Sequence, residues 1–148
     1  MSGLVETSLD GHVALCRLSR PDARNALSPE LMDELATAVE GFDADSVTLR
    51  LPQDPQLSRV GGMLCGQAMM AAADTAMVLA LINQFGEFRP CTTVQMNTSF
   101  LRPLAGQDAL VQARVVRAGK SLAFGEIDVR GAQDGKSASR ASVTYALL

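Results

Sequence analysis

At 148 residues with 47% hydrophobic side chains, the chain can bury one good core and hardly two, so one principal domain is expected. A formal charge of −3, a pI near 5.1, no tryptophan and a single tyrosine supply neither a basic field nor a stacking platform, which argues against nucleic-acid binding. Cys16, Cys65 and Cys91 are widely spaced with no CxxC pair, so neither a disulfide framework nor a metal site is expected, and reduced thiols suit a cytoplasmic protein.

The opening MSGLVETSLDG carries acids and no apolar run, unlike a secretory signal. From Asp10 to Asp45 the pattern predicts a strand, a turn RPDARNALS, and a helix Pro29 to Phe42 with Ser28 as its N-cap and proline at its first position. SVTLRL, Ser46 to Leu51, alternates with Val47, Leu49 and Leu51 on one face and reads as a strand. Gly61 to Asn83, GGMLCGQAMMAAADTAMVLALIN, then predicts a helix that is apolar on every side. Such a helix is wrapped by protein or by lipid; Gln67, Asp74, Thr75 and the lack of a basic flank favour a core helix over a membrane span. Ala68, Ala72, Ala76 and Ala80 form a row of small side chains for close packing, and the opposite row of Met70, Asp74, Met77 and Leu81 puts the acid at the lip of an apolar groove. Burying a carboxylate costs several kcal/mol unless it is paired or hydrogen-bonded, which marks Asp74 as a functional candidate.

Alternating stretches follow at Pro90 to Leu101, Ala109 to Arg117, Ser121 to Arg130 and Ser137 to Leu147, separated by turn residues. They predict antiparallel strands. In the third, Leu122, Phe124, Ile127 and Val129 give an inward face that slips near Gly125, which predicts a bulge there. One long helix and about five antiparallel strands make an α+β fold in which the sheet curls around the helix.

The ordered motifs RLPQDPQLSRVGG, Cys65-Gly66-Gln67, Asp74 within ADTAM, MNTSFLRP (Met96 to Pro103) and GKSLAF (Gly119 to Phe124) make Ser46 to Leu148 resemble a hotdog-fold acyl-CoA thioesterase of the phenylacetate-pathway type. The resemblance implies a long central helix wrapped by a five- to six-stranded antiparallel sheet. It also implies homodimers or homotetramers paired sheet edge to sheet edge, with sites at the subunit interface, and an acyl-CoA as the partner, with no membrane and no cofactor beyond the CoA of the substrate. Asp10 to Asp45 resembles the opening of an enoyl-CoA hydratase/isomerase of the crotonase type, but the later oxyanion-hole loops and acids of that family have no counterpart after Asp45. Residues 1–45 are therefore expected to be an appendage without its own chemistry, and 46–148 the thioesterase domain.

The resemblance implies a role for each matching residue. Backbone N–H groups at Cys65, Gly66 and Gln67 would polarise the thioester carbonyl at the positive end of the helix dipole, with Gly66 allowing close approach. Asp74 would act as general base on water or as nucleophile, and Thr93 would orient the water. Cys65 and Gln67 depart from the usual histidine and second glycine, and Arg59 stands where some relatives carry an asparagine. A thiolate at Cys65 is a further candidate nucleophile, but the only histidine is His12, far from it in sequence, and a small buried thiol is the preferred reading. Gln67 would contact the acyl chain, Asn97 is a further substrate contact, and Arg102 with the Gly119-Lys120-Ser121 turn would meet the CoA phosphates. Met69, Met70, Met77, Ile82, Phe85 and Phe88 are candidates for the acyl pocket. A rival from another class is a non-catalytic acyl-CoA binding or regulatory protein, against which the retention of Asp74 argues.

Overall fold

The computed structural model describes residues 5–10, 13–18 and 46–148. An antiparallel hairpin of β1 (Val5–Asp10) and β2 (Val13–Leu18) comes first. The turn and helix expected between Arg20 and Phe42 lie outside the described residues. The remaining strands are β3 (Ser46–Leu51), β4 (Ser58–Arg59), β5 (Met63–Leu64), β6 (Cys91–Phe100), β7 (Ala109–Ala118), β8 (Leu122–Gly131) and β9 (Ser137–Leu147), with one long helix α1 (Gly66–Phe85) between β5 and β6. Five of them form one antiparallel sheet in the order β3-β7-β8-β9-β6, while β4 and β5 make a small hairpin before the helix. Each of the expected strands after residue 45 is present within a residue or two of its expected ends.

The helix lies across the inward face of this sheet. Met69, Ala76, Met77, Leu79, Leu81 and Ile82 on α1 join Val47, Val111, Val129, Val143 and Tyr145 from the strands in one core. Burying a methionine such as Met77 contributes about 1.5–3 kcal/mol by removal of apolar surface from water. Although α1 is long and apolar enough to cross a membrane, these contacts identify it as a core helix, as Gln67, Asp74 and Thr75 suggested.

Two expectations are corrected. The helix begins at Gly66 rather than Gly61, because Gly61 and Gly62 adopt left-handed φ values of 91° and 69° and turn β4 into β5. Cys65, extended at φ −73° and ψ 148°, is the N-cap, and Gly86 at φ 68° closes the helix through its N–H to the Ile82 carbonyl at 2.8 Å, two residues beyond the expected end. In β8 the alternation does not slip: Ala123, Gly125, Ile127 and Val129 all face inward, whereas Leu122 and Phe124 face out, 41% and 40% exposed. Gly125 faces inward because α1 passes so close that a Cβ there would stand 2.3 Å from the Met77 sulfur. The irregularity is on the neighbouring strand, where the register between β7 and β8 shifts from Val115 to Arg117 and leaves Val116 as the extra residue.

Candidate active site

Asp74 sits half-buried in the middle of α1, facing β6 and β9. Thr93 on β6 and Tyr145 on β9 are directly opposite each other in the sheet register, and both donate to the same carboxylate oxygen. The Thr93 hydroxyl reaches Asp74 Oδ1 at 2.8 Å. The Tyr145 hydroxyl makes a close hydrogen bond to that oxygen and also lies 3.1 Å from the Asp74 backbone carbonyl. Among the described residues none donates to Oδ2. Immediately after Thr93 the register of β6 against β9 shifts, with Val94 the extra residue, a device that re-aims side chains beside functional sites.

Tyr145 is 1% exposed, and burial first, then the Asp74 carboxylate that accepts its hydrogen bond, push its phenol well above the usual range. Burial likewise raises the Cys91 thiol, with Asp74 adding to the effect, so Cys91 is not poised as a thiolate. Tyr145 is the site residue that sequence reasoning missed. The signal was present: a lone tyrosine on an inward strand face needs a partner for its hydroxyl, and the core helix offers one acid.

The other half of the candidate site is the start of α1. The Leu64 N–H donates to the Leu104 carbonyl and the Cys65 N–H to the Leu57 carbonyl, each at 2.9 Å, which pins the entry to the helix. The Cys65 amide is thereby committed to Leu57, contrary to the expectation that it would face substrate. Ala68 N–H is capped by Cys65 Sγ at 3.4 Å, and Met69 N–H bonds the Cys65 carbonyl at 3.2 Å. Gly66 and Gln67 are left as the first-turn amides without a partner inside the helix. They open onto a cavity of about 780 Å³ walled by Arg59, Met69, Met70, Phe100 and Leu101. A Cβ at Gly66 would stand 2.9 Å from the Phe100 ring, so the glycine is what brings backbone and ring together.

The Cys65 thiol acts as the helix cap and has no base beside it among the described residues. A Cys65→Ser variant therefore keeps its activity within about threefold and melts no lower than wild type, since serine is a good N-cap. Steady-state assays and thermal melts check this; loss of activity by orders of magnitude would restore the thiolate as nucleophile.

The remaining candidates are dispersed. Asp74 and the Gly66 amide are eight residues apart on one helix, about 12 Å along its axis, and Asp74 does not line the cavity. The exposed turn Gly119-Lys120-Ser121 lies at the Asp74 end of the sheet, where the Ser121 carbonyl accepts from Leu147 N–H at 2.9 Å. Arg102 edges the cavity, yet its guanidinium is engaged by Asp134 at 2.9 Å and by the carbonyls of Lys136 and Ser137, so it braces the β8–β9 turn rather than awaiting a phosphate. Asn97 faces the other side of the sheet, in a polar trough with Ser99, Arg114, Glu126 and Arg140, away from Asp74. Of the expected acyl-pocket residues, Met69 and Met70 line the cavity; Met77 and Ile82 are core residues, and Phe85 and Phe88 pack against the core.

Comparison with known proteins bears on the family and the fold. A sequence profile of the Thioesterase superfamily matches residues 61–138. The "Putative esterase Ta0293" of Thermoplasma acidophilum is 31% identical over 101 residues, covering 68% of this chain and 74% of that protein. Among solved structures, a thioesterase from Haemophilus influenzae superposes with a TM-score of 0.69 at 21% identity, covering 83% of this chain and 92% of its own. The PaaI protein of the phenylacetic acid degradation operon of E. coli gives 0.62 at 20% identity, covering 70% and 72%. At these identities the two structural likenesses speak for a shared hotdog fold. Taken with a profile match that runs from the glycine turn ahead of α1 into β9, they leave one conclusion: this chain belongs to the thioesterase superfamily.

Proposed function

We infer that the protein hydrolyses an acyl-CoA thioester to the free acid and CoA, with no cofactor beyond the CoA of the substrate. The observation that carries this is Asp74: a helix carboxylate held by two hydroxyls through one oxygen, with the other left open, in a thioesterase-superfamily domain. The Thr93 hydroxyl donates its hydrogen bond to Asp74 Oδ1 and so meets a water as an acceptor; Asp74 Oδ2 takes the water's other proton. The activated water adds to the thioester carbon while the Gly66 and Gln67 amides stabilise the oxyanion. Collapse of that intermediate expels the thiolate of CoA, which takes the proton from Asp74.

Since one chain separates the base from the amides, two copies complete a site. β6 is an edge strand ten residues long, with Val94 59% exposed at its bulge. It runs from Cys91 at the Asp74 end to Phe100 at the Gly66 end. Antiparallel pairing of β6 with its symmetry mate sets the Phe100 end of one copy beside the Thr93 end of the other, so each site takes its base from one protomer and its amides from the partner. A homodimer, or a homotetramer built from it, follows. Met69, Met70, Phe100 and Leu101 then supply the apolar wall that faces an acyl group.

Release of free CoA from short, medium, long and aryl acyl-CoAs tests the activity; no release across the panel would replace hydrolysis by acyl-CoA binding. Subunit complementation tests the shared site. Asp74→Asn and Gly66→Val chains, each inactive alone, regain about a quarter of the wild-type rate when refolded together, because half of the dimers carry one competent site. No recovery from a mixture shown to exchange subunits would place both halves within one chain.

A further inference from the structure

We propose that Tyr145 is a positioning residue for hydrolysis, which fixes the Asp74 carboxylate by Oδ1 so that only Oδ2 is presented to the attacking water. The proposal rests on the thioesterase reading above and goes beyond it, since it assigns a role to a residue buried behind the reacting atoms. Three observations carry it. Tyr145 has one hydroxyl, and it lies between Asp74 Oδ1 and the Asp74 main-chain oxygen, so a single donor ties both the side chain and the helix backbone to β9. Its ring is fully enclosed in the core, which leaves the hydroxyl no solvent to turn toward and no freedom to release the acid. Thr93, its cross-strand partner, donates to the same oxygen from β6, so the two strands hold Oδ1 from both sides.

The chemistry follows from this geometry. An aspartate on a helix turns freely about its last torsion and presents its two oxygens interchangeably. Two donors on Oδ1 remove that freedom, and the base arrives at the water in one orientation, as proximity catalysis demands. The same two bonds draw charge toward Oδ1 and temper Oδ2 as nucleophile and as base alike, so what they contribute to hydrolysis is orientation. Cys91, the other titratable group the structure sets close to Asp74 and Tyr145, stays a thiol under the same burial.

The composition supplies a direct probe. With one tyrosine and no tryptophan in the chain, near-ultraviolet absorbance and emission report Tyr145 alone. A phenol bonded to a carboxylate loses its excited state by proton transfer, so wild-type emission is quenched. Emission recovers in Asp74→Asn, and tyrosinate then forms at lower pH. In Tyr145→Phe, which keeps the ring and its packing, kcat for acyl-CoA hydrolysis falls about 10- to 100-fold while KM changes less than about threefold. Emission and tyrosinate titration indifferent to Asp74→Asn would overturn the proposal, as would Tyr145→Phe with kcat within about twofold of wild type. The two layers fail separately. Wild type that releases no CoA removes the thioesterase reading and the catalytic role with it, whereas active wild type beside a fully active Tyr145→Phe removes the positioning role alone.

Discussion

An Asp74→Asn chain is expected to release CoA about a hundred- to ten-thousand-fold more slowly than wild type, the contribution of a positioned general base. The substitution is conservative in every respect but one. Asparagine has the same shape, and its carbonyl oxygen accepts from Thr93 and Tyr145 as Oδ1 does now. At the Oδ2 position it offers an N–H, a donor where the water's proton needs an acceptor. The fold has no reason to change, and thermal melts should agree within a few degrees. Because the lesion removes an interaction made in the transition state, kcat falls and KM is nearly preserved. A variant with full activity would end the assignment of Asp74 as base.

The largest expected effect on stability lies elsewhere, at Gly125 on β8. A Cβ there would stand 2.3 Å from Met77 Sδ, 2.4 Å from its methyl carbon and 3.1 Å from the Arg114 carbonyl oxygen. Met77 has no exposed surface through which to swing aside, and the Arg114 oxygen belongs to the backbone of the paired strand. Gly125→Val must then push α1 off the sheet. Overpacking of this kind costs about 3 kcal/mol, which lowers the melting temperature of a chain this size by roughly 6–12 °C. The cause is checked by a second substitution. Met77→Ala costs stability alone by leaving a cavity, yet in the Gly125→Val background it recovers part of the loss, since the valine fills the space the methionine vacates. Additive losses in the double variant would show that the crowding lies elsewhere.

Gly125 also shows where reading the chain fell short. Apolar residues at Leu122 and Phe124 invite an inward assignment, and from sequence alone the pattern then has to slip to reach Ile127 and Val129. In the fold the inward positions are the small ones, Ala123 and Gly125, because the helix leaves no room for more; the bulky pair covers the outer face. Periodicity reports hydrophobicity, whereas close packing also selects for volume. β7 and β9 were legible because Val111, Ala113 and Val115 alternate with Gln112 and Arg114, and Ala141, Val143 and Tyr145 with Ser142 and Thr144. The early helix start was misjudged because glycines are neutral in an apolar run, and only their left-handed φ separates the β4–β5 turn from α1. Within the site, Asp74 stood out as an acid in an apolar helix, and its bond to Thr93 joined two residues already singled out. Tyr145 carried only the weaker signal of a lone inward tyrosine whose hydroxyl needs a partner, and its place in the site comes from facing Thr93 across the sheet, 52 positions away in the chain.

The anchoring of the helix entry through Leu64 to Leu104 and Cys65 to Leu57 has an implication for how such a protein changes over generations. The groups that open onto the cavity there are main-chain amides, which an exchange of side chain removes only where proline enters and blocks only where a bulkier residue replaces Gly66. The wall around them, Met69, Met70, Phe100 and Leu101, is made of side chains that can be replaced one at a time. On the thioesterase reading proposed above, a lineage built on this frame is free to alter which acyl groups it admits while the first-turn amides are carried along by the backbone.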